Sequence, residues 1–295
     1  MADKHLDSSA LMMMPADTIT VWGFRLPGTL LDAAERDYII RLPEHLPSIE
    51  WLWSEMDRVW HAQGLNNRLP LNDRELQCYY SHPVWIANGI FTAVDPTSVD
   101  HRTAIARHVR ASGHKEVADY GGGFGELARA VAATSENTRV SIIEPHVSRV
   151  AEALSADNQQ IRFVPCLEAD KYDSIIAQDI LEHLANPLAA VSLFAKCVKP
   201  GGELIIANCF FPVIQCHLPA TFHLRHTFRF IVDSIGLRYA GSISGAEHAK
   251  IFVRDRNKDI NIARLRTLER LSQTIGPTIN HTYRMMEKLK KALGR

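Results

Sequence analysis

Between Asp119 and Gly125 the chain reads Asp-Tyr-Gly-Gly-Gly-Phe-Gly, after the apolar pair Val117-Ala118 and before Glu126-Leu127. A short strand, a glycine turn and a helix start build a cradle for a nucleotide-like cofactor. Glycine tolerates positive φ and lets backbone approach a ligand, and the helix beyond offers free N–H groups at the positive end of its dipole. The dinucleotide fingerprint G-x-G-x-x-G needs a small third residue for helix–strand packing. Counted from Gly121, that place is taken by Glu126, which argues against a nicotinamide dinucleotide. An acid at Asp119 would also repel a pyrophosphate. Glu144 closes the apolar run Arg139–Ile143 and falls 19 residues after Gly125. A carboxylate at the tip of a second strand can accept both hydroxyls of a ribose, in charge-assisted bonds of about 1.5–3 kcal/mol.

Two more runs follow in order. Tyr172-Asp173 leads an apolar stretch into Gln178-Asp179-Ile180 and then Leu181-Glu182-His183-Leu184, with Asn186-Pro187 opening a helix. Lys199-Pro200-Gly201-Gly202 enters a further apolar strand. With Asp119-x-Gly121-x-Gly123-x-Gly125 and Glu144, these runs resemble the motifs of class I S-adenosylmethionine-dependent methyltransferases, over roughly residues 100–255. The resemblance implies an α/β fold: a Rossmann-like, mostly parallel sheet with an antiparallel last strand. It implies S-adenosylmethionine as cofactor and S-adenosylhomocysteine as product. It places Asp119, Gly121, Gly123, Gly125 and Glu144 around the cofactor. Gln178 and Asp179 join them as residues of the fourth strand's end facing cofactor or substrate, with strand capping as the alternative.

Methyl transfer is an in-line displacement, so the acceptor atom must reach about 3–3.5 Å from the methyl carbon. A hydroxyl acceptor also gains about 10²–10⁴-fold from a base that takes its proton. The apolar, proline-punctuated segment Asn208–Pro219 lies where a pocket wall is wanted, and His217 and His223 are the candidate bases. His183 reads instead as a family-typical residue that packs the adjoining helix or orients a neighbour. Cys209, Cys216, His217, His223 and His226 match no standard zinc spacing, and no metal is expected. These readings point to O-methylation of a small molecule or saccharide. A methyltransferase fold without activity, serving as a binding or regulatory subunit, is the alternative; a nicotinamide-dependent reductase ranks third.

These residues need elements to carry them. Residues 1–16 read as a flexible tail, 17–100 as a helical extension or lid holding all five tryptophans, 101–254 as the cofactor-binding core, and 255–295 as a basic helical tail. Helical spacing covers Glu50–Gln63, and an amphipathic helix is expected from about Ala220 to Ile235, between Pro219 and Gly236. In the tail, Leu265, Leu268, Leu271 and Ile275 are spaced for one face, leaving a homodimer contact open. Lys+Arg and Asp+Glu each number 33, so no global field points to nucleic acid. Five cysteines without a C-x-x-C pair suggest a reducing compartment, and no apolar run reaches the roughly 18 residues of a membrane span. The cytoplasm is the expected location.

Overall fold

The computed structural model describes residues 17–256 and 260–292, apart from the side chains of 287, 291 and 292. The expected tail at 1–16 lies outside the described residues. The chain opens with a hairpin, β1 (Thr18–Val21) and β2 (Phe24–Pro27), followed by helices α1 (Ala33–Ile40), α2 (Ile49–Ala62), α3 (Asp73–Tyr80) and α4 (Val84–Val94). The hairpin is an addition to an extension that reads as helical. Its turn, Trp22-Gly23, has φ of 52° and 86°, the two positive values that a tight hairpin turn needs. Tryptophan is not the residue that usually announces such a turn. Asp95-Pro96, a turn signal by composition, starts a helix instead: the Asp95 side chain accepts the Ser98 N–H at 2.8 Å and Pro96 opens α5 (Pro96–Ala111).

The remainder alternates strand and helix: β3 (Glu116–Tyr120), α6 (Glu126–Ala132), β4 (Arg139–Ile143), α7 (Arg149–Ser155), β5 (Ile161–Phe163), β6 (Tyr172–Gln178), α8 (Pro187–Cys197) and β7 (Val198–Ala207). After these come α9 (Phe228–Val232), β8 (Leu237–Ile243), β9 (Ala246–Arg254) and α10 (Ile262–Ala292). Seven strands form one sheet in the order β5-β4-β3-β6-β7-β9-β8. Pairing is parallel from β5 to β7, and β9 runs antiparallel to both β7 and β8. The direction of winding reverses between β3 and β6, which opens a crevice at their carboxyl ends.

Both faces of the sheet are covered, so its central strands carry near-continuous apolar runs. Ile175, Leu204 and Ile206 pack with Leu188, Phe194, Ile231 and Leu265 on one face. Ile176 and Ile205 pack with Ile105, Val109, Leu127 and Val131 on the other. Two of the sequence motifs work at the amino ends of the strands, away from the crevice. Asp173 Oδ2 accepts the Lys115 and Glu116 amides at 2.9 Å, and its Oδ1 pairs with Lys199 Nζ at 2.6 Å. Glu203, just after Gly201-Gly202, meets His108 Nε2 at 2.7 Å.

The helix expected over Ala220–Ile235 is broken into a 3-10 turn at Pro219–Leu224, α9, and a second 3-10 turn at Asp233–Ile235. The cause is competition for one carbonyl. His223 O accepts from Thr227 Oγ1 at 2.8 Å and from Ser272 Oγ at 3.0 Å, where a continuing helix would have used a backbone N–H. His223 and His226 therefore do not share a regular helix face. Gly236, at φ 79°, ends the segment as the sequence implied. In α10, Leu265 is buried and Leu268 packs beside it, but Leu271 and Ile275 are exposed, so the apolar stripe is only half used within the chain.

Candidate active site

The glycine turn sits at the carboxyl end of β3, where Gly121 N donates to Ile143 O at 2.7 Å. Gly121, Gly123 and Gly125 hold φ of 73°, 48° and 78°, in the left-handed region that side chains rarely enter. A Cβ on Gly121 would collide with the Ile180 side chain, whereas one on Gly123 would meet nothing nearer than Gly121 O at 4.0 Å. The turn thus packs against β6 at one end and leaves open backbone in its middle.

Two acids face this turn. Asp119 is 3% exposed, and its Oδ2 has no hydrogen-bond partner. Burial, then the charge of Glu144, push its pKa up to about 7, while the Ala128 amide pulls the other way. Glu144, half-buried past the end of β4, accepts the Gly123 amide at 3.0 Å and the His146 amide at 2.9 Å.

Across the crevice, the chain leaves β6 at Gln178. Asp179 takes a φ of 52°, with its amide donating to Ala207 O at 2.8 Å, and Ile180 turns back over Gly121. Asp179 remains open to water, so its upward pKa shift, caused by the surrounding protein, is moderated by that access. A 3-10 turn, Leu181–His183, then carries Glu182 inward. Glu182 is fully buried: one oxygen accepts the Cys209 amide at 2.8 Å, and Oε2 has no partner. Burial, reinforced by Asp179, raises its pKa well above the ordinary carboxylate range.

The segment after β7 folds back onto this turn. Leu218 N donates to Glu182 O at 2.9 Å, and His183 Nδ1 donates to Cys216 O at 3.2 Å. The N-terminal extension fixes the same segment: Gln215 N donates to Asp57 Oδ1 at 2.6 Å and Asn67 Nδ2 to Gln215 O at 2.7 Å. His217 is thereby brought to His183, with ring centroids 5.0 Å apart at 84°. Its Nδ1 donates to Phe211 O at 3.0 Å. Since each Nδ1 meets a carbonyl, each neutral ring carries its proton there; His217 is left with a bare Nε2, while the Asp179 backbone also bears on His183. Glu182, His183 and His217 offer three ligand atoms within 4.8 Å of one another. Burial lowers both histidine pKa values; His183 is lowered further by His217, and His217 is partly restored by Phe211 O and Asp57.

Residues 99–276, more than half of the chain, match the sequence profile described as "Methyltransferase domain". The chain belongs to the methyltransferase family. As a class I methyltransferase it takes S-adenosylmethionine as its cofactor, and its sheet order with the antiparallel edge is the expected one. Among curated relatives, the ubiquinone biosynthesis O-methyltransferase of Xanthomonas campestris is 25% identical over 207 residues, covering 67% of this chain and 78% of that protein. The protein of the same name from Rickettsia akari is 26% identical over 139 residues, covering 43% and 55%. A solved O-methyltransferase family protein from Burkholderia thailandensis is 15% identical, covers 71% of this chain and 70% of its own, and has a TM-score of 0.49.

The residues of this methyltransferase fit its cofactor. An unpartnered, buried carboxylate oxygen on Asp119, a second acid at Glu144 and open backbone at Gly123 suit a cationic ligand bearing a ribose. The site residues read from sequence divide in two. Asp119, Gly121, Gly123, Gly125 and Glu144 surround one turn, with Gln178 and Asp179 at the neighbouring strand end. His217 stands in the buried cluster, while His223 turns the other way, with Nδ1 2.9 Å from Ser272 Oγ on α10. The zinc set does not assemble: among the described residues the cluster is Glu182, His183 and His217, with neither cysteine in it. Cys209 and Cys216 are thiols whose pKa values burial pushes up to about 12, which removes them as nucleophiles. Leu-Glu-His-Leu was the signal for Glu182 and His183; nothing local in the sequence marked their pairing with His217. No described helix is long and apolar enough to cross a membrane.

Proposed function

We propose that this methyltransferase O-methylates a small hydroxylated molecule whose acceptor oxygen is held against Glu182, His183 and His217. The observation that carries this reading is the cluster itself: two imidazoles kept neutral by burial, each with a ligand atom within 4.8 Å of a buried Glu182 oxygen. A hydroxyl is the acceptor such a site serves, because it must lose its proton to become a methyl ether. His217 is the better base of the two, since the nearby Asp57 charge favours its protonated form. Asp119 and Glu144 would hold the cofactor's cationic and ribose portions, with Gly123 giving it access to the backbone. S-adenosylmethionine, when bound, supplies a methyl group whose bonding pair to sulfur stays on sulfur as the acceptor oxygen's lone pair forms the new C–O bond. The relatives named as O-methyltransferases support the same choice of atom.

The test is transfer of a labelled methyl group from S-adenosylmethionine to catechol and, separately, to methyl glucoside. Transfer to catechol is expected, because aromatic rings wall this side of the crevice. Binding of S-adenosylhomocysteine without transfer to either compound would favour the inactive-subunit reading. A second reading has its own observation: three ligand atoms within 4.8 Å of one another suit a divalent cation. Loss of transfer on chelation, restored by added Mg²⁺ or Zn²⁺, would favour that reading over a histidine base.

A further inference from the structure

Tyr80, the last residue of α3, reaches from the N-terminal extension into the seam between the two halves of the site. Its ring stacks on His146 at 5.5 Å and 15°, two residues beyond Glu144. Trp85 packs at 4.9 Å and 40°, and His183 meets the ring edge-on at 6.4 Å. Tyr80 thus contacts both the loop that carries the cofactor acid and the turn that carries the acceptor cluster. Its hydroxyl makes no hydrogen bond among the described residues, although the side chain is half-buried. A tyrosine hydroxyl keeps its proton below about pH 10, so Tyr80 brings an O–H donor to this seam.

The Nδ1 protons of His183 and His217 are taken by carbonyls, so neither neutral imidazole can donate to the acceptor. An acceptor hydroxyl has one proton to give them, and its oxygen then needs a hydrogen bond to hold the attacking lone pair in one direction. Oxygen that has surrendered its proton also carries negative charge, which a fixed donor stabilises.

We infer that Tyr80 is an acceptor-binding residue whose hydroxyl donates to the oxygen of the methyl acceptor, so that the N-terminal extension completes the site. This rests on the O-methylation reading above. The stack on His146 and the contact with Trp85 fix the ring, which leaves its hydroxyl as the free end. The extension is then part of the chemistry as well as a cover over it.

The test uses full-length protein saturated with S-adenosylhomocysteine and the chromophoric phenol 4-nitrocatechol. Wild type is expected to bind the probe, with the spectrum reporting its ionisation. Tyr80→Phe keeps the ring contacts and removes only the hydroxyl. It should bind the probe about tenfold more weakly, and the bound probe should ionise at higher pH, while affinity for S-adenosylhomocysteine stays within about twofold. Unchanged probe affinity and ionisation in Tyr80→Phe would reduce Tyr80 to packing and overturn the inference. An equal loss of S-adenosylhomocysteine affinity would assign Tyr80 to the cofactor loop and overturn it as well. Failure of wild type to bind the phenol, with S-adenosylhomocysteine still bound, would instead remove the phenolic acceptor and take the role of Tyr80 with it.

Discussion

Replacing Asp119 by Asn should make the ligand-free protein more stable and the liganded protein less so. Asp119 is buried, one of its oxygens is unpartnered, and Glu144 repels its charge. Its pKa stands at about 7 in the folded chain against 3.8 for an ordinary aspartate. Between those values the folded state keeps a proton that the unfolded chain has released, so folding stability falls as pH rises through that window. Full ionisation costs at most about 4 kcal/mol on this basis, and relaxation around the carboxylate brings the expected value nearer 2–3 kcal/mol. Asn removes the charge at nearly equal volume. Calorimetry without ligand should therefore show Asp119→Asn melting about 4–8 °C above wild type at pH 8, with the gap closing towards pH 4. Titration with S-adenosylhomocysteine should reverse the order, because the carboxylate's bond to the ligand's ammonium is lost at about 1.5–3 kcal/mol, roughly 10–100-fold in affinity. A variant that melts below wild type at pH 8 and binds the ligand equally well would refute the reasoning.

Glu144→Gln should weaken S-adenosylhomocysteine about tenfold or more by isothermal titration, and neither wild type nor variant should bind NAD. Gly121→Ala combines a φ of 73° with a collision against Ile180. It should cost about 1–3 kcal/mol in denaturant titration and abolish cofactor binding. His183 and His217 have pKa values below the ordinary histidine range. As pH falls below about 6.5, the unfolded chain takes up protons that these buried rings refuse, so they lower stability there; the acid limb of kcat/KM should also lie below pH 6.5. Lys199→Met removes the partner of Asp173 at the far end of the sheet. It should lower Tm while leaving S-adenosylhomocysteine affinity unchanged.

The proposed cofactor half of the site was legible in sequence because it is local. Asp119, the glycines and Glu144 belong to one strand–turn–helix–strand unit, and each type is dictated by what its own backbone must do. Helix starts were legible for the same reason: Asn186 caps α8 through the Ala189 amide, with Pro187 next in line. The proposed acceptor half is assembled at a distance. Glu182 and His183 meet His217 only because segment 208–218 folds back, held by Asp57 and Asn67 from the extension. His217 and His223 looked alike in sequence; a hydrogen bond from Ser272, on the last helix, is what turns the chain between Leu224 and α9 and takes His223 away. Tyr80 stood in the sequence only as one of the extension's aromatics, which could line a pocket as readily as pack, and nothing local set it apart from its neighbours.

The measurement that bears most directly on the two-part site is single-turnover methyl transfer to catechol by wild type and by a His183→Asn/His217→Asn double variant, alongside S-adenosylhomocysteine affinity. Transfer should fall at least about 100-fold in the double variant, with the affinity unchanged within about twofold. Full transfer without the two imidazoles, or a parallel collapse of cofactor affinity, would contradict the division of the site into a cofactor turn and a histidine-lined acceptor cluster.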